Sequence, residues 1–399
     1  MVASTPDATR RRDAEFYPSP SLPAGHRYQR VVLVLQGGGA LGAYQAGVYQ
    51  GLAEAQLHPN WVAGISIGAL NAAIIAGNPP QQRVERLQEF WQTICRPPLW
   101  PPSPLSQMDL QGWPTPLIRL FNGWEAWRAL TEGQNGFFQP RVRGALDHSA
   151  GLDTLSYYDT APLKATLEAL VDFDRLNDSR EMRISVGAVN VETGNFVYFD
   201  NTNERLCAEH FMASGALPPG LPAMEIDGAY YWDGGVVSNT PLQKVLATTP
   251  RRNSLVFQVD LWSAHGARPT DLSEVVSRQK AIQYSSRTRM ITTYMKNLQQ
   301  QRRLLRELMK LVPEEARQHN PWYQRAADEA CDRLFNVFHL IYQNTPCEGY
   351  DTDFQFGART MREHWQAGLA DIRRSLQHRG WLDMPTAEEP FLTHDVHRP

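Results

Sequence analysis

Cysteine is scarce in this chain: Cys95, Cys207, Cys331 and Cys347 are the only four in 399 residues, and no pair has Cys-x-x-Cys spacing. Neither a disulfide framework nor a thiolate metal site is expected, and a reducing, cytoplasmic compartment fits best. Long apolar runs are lacking too. No segment reaches the roughly 18 uncharged apolar residues that a spanning helix needs, so any contact with a bilayer is expected to be peripheral, at the inner membrane face. Arg10-Arg11-Arg12 is not followed by the apolar stretch of a secretory signal, and residues 1–28 read as a disordered tail. Neither sign of charge dominates, since 39 Lys and Arg against 42 Asp and Glu leave a net −3; nothing here suits a nucleic-acid backbone. No acidic loop has calcium-ligand spacing, so no metal and no cofactor are expected.

The chemistry gathers between Val31 and Asn78. Val31 to Leu35 is aliphatic without polar alternation, as in a strand buried on both faces of a parallel sheet. It stops at Gly37-Gly38-Gly39, and from Gly42 to Leu57 apolar residues recur at helical spacing. The glycine loop therefore meets a helix N-terminus, where unpaired N–H groups attract negative charge. Trp61 to Ile65 forms a second short strand, and Ala69 to Ala76 a helix, with Gly64-Ile65-Ser66-Ile67-Gly68 between them. Glycines two before and two after a serine at a strand-to-helix turn follow the logic of a nucleophile elbow. Far along the chain, after Gly228-Ala229-Tyr230-Tyr231-Trp232, comes Asp233-Gly234-Gly235.

A glycine triplet, a serine elbow and a late Asp-Gly-Gly, in that order, resemble the patatin-like phospholipase family. The likeness covers roughly Val31 to Asp260. It implies a three-layer α/β/α core around a mixed, mostly parallel sheet. It also implies that Ser66 and Asp233 form a two-residue catalytic dyad and that Gly37, Gly38 and Gly39 supply an oxyanion hole, with Gly42, Gly64, Gly68, Gly234 and Gly235 completing the motifs. One departure is visible: many members carry Lys or Arg two residues after the triplet, whereas Leu41 stands here, behind Ala40. Asn71 and Asn239 are candidate supporting groups.

Two other enzymes use parts of this pattern. A Ser-His-Asp α/β-hydrolase shares the elbow and needs a histidine, for which His210, His265 and His364 are available, but that fold places several strands before the elbow and here only one precedes it. Gly37 to Gly42 also satisfies a dinucleotide fingerprint, but that requires an acidic residue about 20 positions on, where Ile65 and Ser66 stand instead.

Elsewhere, Gln82 to Ile94 and Thr160 to Leu170 read as helices, and Met182 to Asn190 and Asn195 to Asp200 as a hairpin. Residues 97–140 are rich in Pro and Trp; prolines this dense argue against continuous helix. The insertion is expected either to bury its tryptophans or to act as a lid or acyl-binding wall. From residue 263 the chain turns helical and charged. Asp271 to Leu311 reads as one amphipathic helix whose many bases face only Glu307, either an ordinary surface helix or a patch for anionic lipid headgroups. Pro321 to Gln343 and Thr360 to Leu376 are expected as further helices. Met361 to Gly368 resembles a C-terminal region attached to some bacterial patatin-like proteins. The expected organisation is thus a tail 1–28, a catalytic domain 29–262 and a helical region 263–399. The expected activity is a serine-dependent lipid acyl hydrolase of phospholipase or esterase type. An esterase for small or oligomeric hydroxyacid esters and a non-catalytic membrane-associated scaffold are its alternatives.

Overall fold

The computed structural model describes residues 28–96, 110, 112–141, 151–317, 319–345, 348–349 and 351–397, with backbone alone for 286–289. The expected tail, save Tyr28, and the densest part of the proline-rich stretch, 97–109, lie outside the described residues.

The core is a nine-stranded sheet. Its strands are β1 (Arg30–Leu35), β2 (Trp61–Gly64), β3 (Arg183–Asn190), β4 (Phe196–Asp200), β5 (Met224–Ile226), β6 (Ala229–Asp233), β7 (Ser254–Asp260), β8 (Phe335–Ile341) and β9 (Phe391–Asp395). The order runs β9-β8-β7-β1-β2-β3-β6-β5, with β4 on β3. From β9 through β3 every pairing is parallel, while β4, β5 and β6 are antiparallel. This is the mixed, mostly parallel sheet expected. β1 and β7 are buried along their whole length, because both faces of the sheet are covered. Val31, Leu33 and Leu35 enter the larger core and Val32 and Val34 the smaller one on the opposite face, the period-two alternation of a strand. Each such side chain contributes roughly 1.5–3 kcal/mol by leaving water.

Helix α1 (Ala43–Glu54) follows the glycine loop, α2 (Ile67–Ala76) follows the elbow and α3 (Arg83–Ile94) packs behind them. Residues 115–132 correct the reading of the proline-rich insertion: Thr115–Glu132 is a continuous helix, α4. Pro116 sits in its first turn, where the missing N–H is not needed, and no proline follows until Pro140. The tryptophans are not buried either. Trp113, Trp124 and Trp127 are 41, 51 and 52% exposed, the last two stacked with centroids 5.0 Å apart; Trp100 lies outside the described residues.

After the short α5 (Ala208–Ser214), helix α6 (Leu272–Lys310) spans 39 residues as the periodicity predicts. Its bases do not face Glu307 alone. Lys280 pairs with Asp353, Lys296 with Glu389, Arg302 with Glu329 and Arg306 with Asp332, acids brought from distant parts of the sequence. The helix expected over Pro321 to Gln343 stops at Glu329, and 335–341 is the buried strand β8. Its apolar run fits a sheet as well as a helix, and the open edge of β7 decides between them. The C-terminal region is therefore helical with two strands added. Its helix α7 (Ala358–Gln377) lies against α1 so closely that a Cβ on Gly47 or Gly368 would collide with backbone of the other helix.

Candidate active site

The sheet's register brings the two candidate catalytic residues together. Gly64, ending β2, pairs with Val186 of β3. β6 arrives on the same edge of β3, just beyond the end of β2, with Asp233 opposite Ala188. Ser66 and Asp233 thus meet at one end of the strands, close enough for the Ser66 side chain to pull the Asp233 carboxyl pKa downward.

The elbow's glycines have steric reasons. A Cβ on Gly64 would run into the Gly68 carbonyl, and one on Gly68 into the Leu35 carbonyl. Ser66 itself has φ 57° and ψ −128°, a conformation costing about 1–3 kcal/mol for a residue with a Cβ. It heads α2, yet its side chain makes no capping bond, which leaves the hydroxyl for Asp233. Ser214 braces the turn: its Oγ and backbone carbonyl both accept from the Ser66 N–H at 3.1 Å, and its hydroxyl donates to the Gly187 carbonyl of β3.

The glycine loop is tied down through its carbonyls. Gln45 donates to Gln36 O at 2.6 Å, Asn239 and Trp262 donate to Gly37 O at 2.8 and 3.0 Å, and Asn71 donates to Gly42 O at 3.0 Å. Gly39, at φ 55°, lies under the Asp353 backbone carbonyl with no space for a side chain. Among the described residues the Gly38 and Gly39 N–H groups donate to no protein acceptor. Both residues line the same cavity as Ser66 and Asp233.

That cavity measures about 330 Å³ and is largely apolar, walled by Ile67, Leu70, Phe137, Phe138, Leu217 and Phe356 among others. Asp233 is 2% exposed. Burial lifts its carboxyl from 3.8 to about 7, against the opposing pull of the nearby Ser66 side chain and of the bond from the Gly235 N–H. Among the described residues no histidine lines the cavity. His210 is hydrogen-bonded to Cys207 and His364 to Glu348, and neither they nor His265 line the cavity, so the Ser-His-Asp alternative has no histidine in position among the described residues. No cluster of metal-ligating side chains occurs among the described residues.

Sequence reasoning missed the contribution of the C-terminal region. Tyr284 from α6 and Asp353, Phe354 and Phe356 from the segment before α7 line the cavity, and nothing local in those residues announces it. Gln36 and Trp262 also escaped notice. They lie at the C-terminal ends of β1 and β7, where a parallel sheet gathers its functional groups.

A family model described as patatin-like phospholipase matches residues 33–246, and one described as patatin phospholipase matches residues 282–388. The chain belongs to the patatin-like phospholipase family. Membership makes it a lipid hydrolase by family. The first match contains Ser66 and Asp233, and the second contains the cavity-lining residues from Tyr284 to Phe356. No match was found among curated protein sequences. Solved structures with similarity include VipD from Legionella pneumophila, at 13% identity and TM-score 0.32 over 87% of this chain and 70% of that one. Human GIVD cytosolic phospholipase A2 aligns at 12% identity and TM-score 0.29 over 57% of this chain and 42% of its own. The type III effector protein ExoU aligns at 14% and 0.23, over 85% and 53%. This patatin-like chain thus spans less than half of the human enzyme's chain and about half of ExoU's. No helix among its described residues is long and apolar enough to cross a membrane.

Proposed function

We propose that the chain is a serine-dependent lipid acyl hydrolase that cleaves carboxylic ester bonds with a Ser66-Asp233 dyad and no metal or cofactor. The observation that carries this reading is the meeting of Ser66 and Asp233 in the lining of one apolar cavity, beside the Gly38 and Gly39 N–H groups, which have no acceptor among the described residues. In this reading Ser66 Oγ attacks the ester carbonyl carbon while Asp233 takes its proton. The oxygen's developing charge is met by the N–H groups of Gly38 and Gly39, each such donor being worth roughly a hundred- to a thousand-fold in rate. Of the expected triplet, Gly37 is the exception, since its N–H already donates to the Asn239 carbonyl at 3.2 Å. Asp233 then gives the proton to the departing alcohol, and water, activated by the same carboxylate, hydrolyses the acyl-enzyme. An aspartate near 7 is a better base for a hydroxyl than one near 4, and burial supplies the difference.

Peripheral contact with lipid is part of the proposal. Leu117, Leu120, Trp124 and Trp127 form one stripe along α4, exposed by 49, 73, 51 and 52%, and Leu130, a turn further on, lines the cavity. This stripe supports docking by apolar insertion; the pairing of α6's bases does not favour an anionic surface. We further infer that 29–262 and 263–399 work as one unit, because β8 pairs with β7 and the second part walls the cavity.

The test is hydrolysis of a chain-length series of p-nitrophenyl esters and of phospholipid vesicles by wild type, Ser66→Ala and Asp233→Asn. Loss of several orders of magnitude in both variants supports the dyad, and the preferred chain length separates lipids from small esters. An inert wild type, or a Ser66→Ala protein that keeps its rate, removes the reading in favour of a scaffold.

A further inference from the structure

A second cavity, of about 480 Å³, adjoins the first. Leu130, Tyr284 and Phe354 line both, and Trp127, Lys280 and Asp351 line the second alone. Its two charged groups differ in one respect. Lys280 Nζ reaches both oxygens of Asp353, at 2.5 and 2.6 Å, so its charge is balanced within the protein. Asp351 is not balanced: Oδ1 accepts from the neutral Gln355 amide at 3.0 Å, and no cation pairs with the carboxylate among the described residues. Its Oδ2 faces α4 at Gly123, where an added Cβ would lie 3.9 Å away. The cations of α4 are engaged elsewhere, Arg119 with Glu274 and Arg128 with Glu132. Gly123 is itself unexpected, since glycine in a helix interior costs about 1 kcal/mol; here it keeps the cavity wall low.

An aromatic wall with an uncompensated carboxylate suits an alkylammonium ion. We propose that this side cavity is the headgroup subsite for lipids whose headgroup carries an ammonium, phosphocholine or phosphoethanolamine. The proposal rests on reading the adjoining site as a lipid acyl hydrolase. The scissile acyl chain lies in the apolar cavity. The phosphate lies on the side of Lys280, whose third N–H remains after the two given to Asp353, and the ammonium is held by Asp351 and the Trp127 ring. A lipid with a neutral or purely anionic headgroup leaves the Asp351 charge unmatched.

The test compares phosphatidylcholine with phosphatidylglycerol of identical acyl chains in mixed micelles, each rate taken relative to p-nitrophenyl ester hydrolysis by the same protein sample, so that a partly misfolded variant cancels. Wild type is expected to prefer phosphatidylcholine by about tenfold, Asp351→Asn to bring the ratio close to one, and Asp351→Glu to restore it. Absence of preference in wild type, or a preference unchanged in Asp351→Asn, overturns the proposal. A second measurement needs no turnover: monomeric dodecylphosphocholine is titrated into the Ser66→Ala protein with tryptophan fluorescence as readout. Binding that weakens about five- to tenfold on adding Asp351→Asn supports the subsite even if no ester is cleaved, in which case only the hydrolase reading fails. Absence of binding, or binding indifferent to Asp351, overturns the subsite whatever the enzyme hydrolyses.

Discussion

Replacing Asp233 by Asn is expected to make the protein more stable, and by an amount that depends on pH. The folded-state carboxyl titrates near 7 and its ordinary value is 3.8. Its folded-state value is the raised one, so its contribution to stability is greatest below about 4 and is lost as pH climbs through about 7. At pH 8 the carboxylate is ionised in both states, and holding that charge in the buried site costs at most about 4 kcal/mol at about 1.36 kcal/mol per pKa unit. At pH 5 the folded group is protonated, and the remaining cost falls to about 1.5 kcal/mol. An asparagine carries no such charge, and its carbonyl oxygen still accepts from Gly235 N–H. Its new NH₂ lacks an assigned acceptor, which takes back about 1–2 kcal/mol. The net expectation is stabilisation of about 2–3 kcal/mol at pH 8, shrinking to nothing at pH 5. Urea unfolding curves of wild type and Asp233→Asn at both pH values, followed by tryptophan fluorescence, measure it. A variant less stable than wild type at pH 8, or one whose gain is equal at the two pH values, would refute the claim that burial of an ionised Asp233 is what shifts it.

The same titration governs rate: kcat/KM on a neutral ester should fall about tenfold per pH unit below a midpoint near 7, and a profile flat down to pH 5 would remove Asp233 as the base. Gly37→Ala places a Cβ 2.9 Å from the Ser66 Cβ and against Asn239, so activity should drop at least a hundredfold in a protein that still folds by circular dichroism. Ser214→Ala removes the bond to Gly187 and one of two acceptors for the Ser66 N–H; kcat should fall about tenfold with KM little changed, as steady-state kinetics would reveal. Leu120→Glu on the exposed stripe should weaken sedimentation with neutral vesicles severalfold, with little dependence on salt.

The sequence carried the front half of the molecule well. An all-aliphatic strand, a glycine triplet and a Gly-x-Ser-x-Gly turn are local signals, each forced by backbone sterics that the structure displays at Gly64 and Gly68. Asp233 was visible only as a partner for the elbow, since a lone aspartate before two glycines is ordinary turn chemistry. What could not be read was non-local. Phe335 to Ile341 becomes a strand because β7 offers an open parallel edge, and the same residues in another context would suit a buried helix. Asp353 and Phe356 reach the cavity through the close seating of α7 on α1. The tryptophans of α4 looked destined for the interior by composition alone, and their helix turns them outward. Even so, α1 held a clue: rich in small and apolar residues, with Gly47 and Gly51 at helical spacing, it has the character of a helix covered over most of its surface.

The strand β7 separates the two family matches, and it is held on one side by β1 and on the other by β8. A recombinant fragment ending near residue 262 would keep every motif residue and still be left with a seven-residue ladder of unpaired N–H and C=O groups, flanked by Leu255, Val256, Phe257 and Val259. Such an edge is largely apolar and unguarded by proline or lysine, the kind that recruits copies of itself. Insolubility of that fragment would report on its exposed border and say nothing against its chemistry.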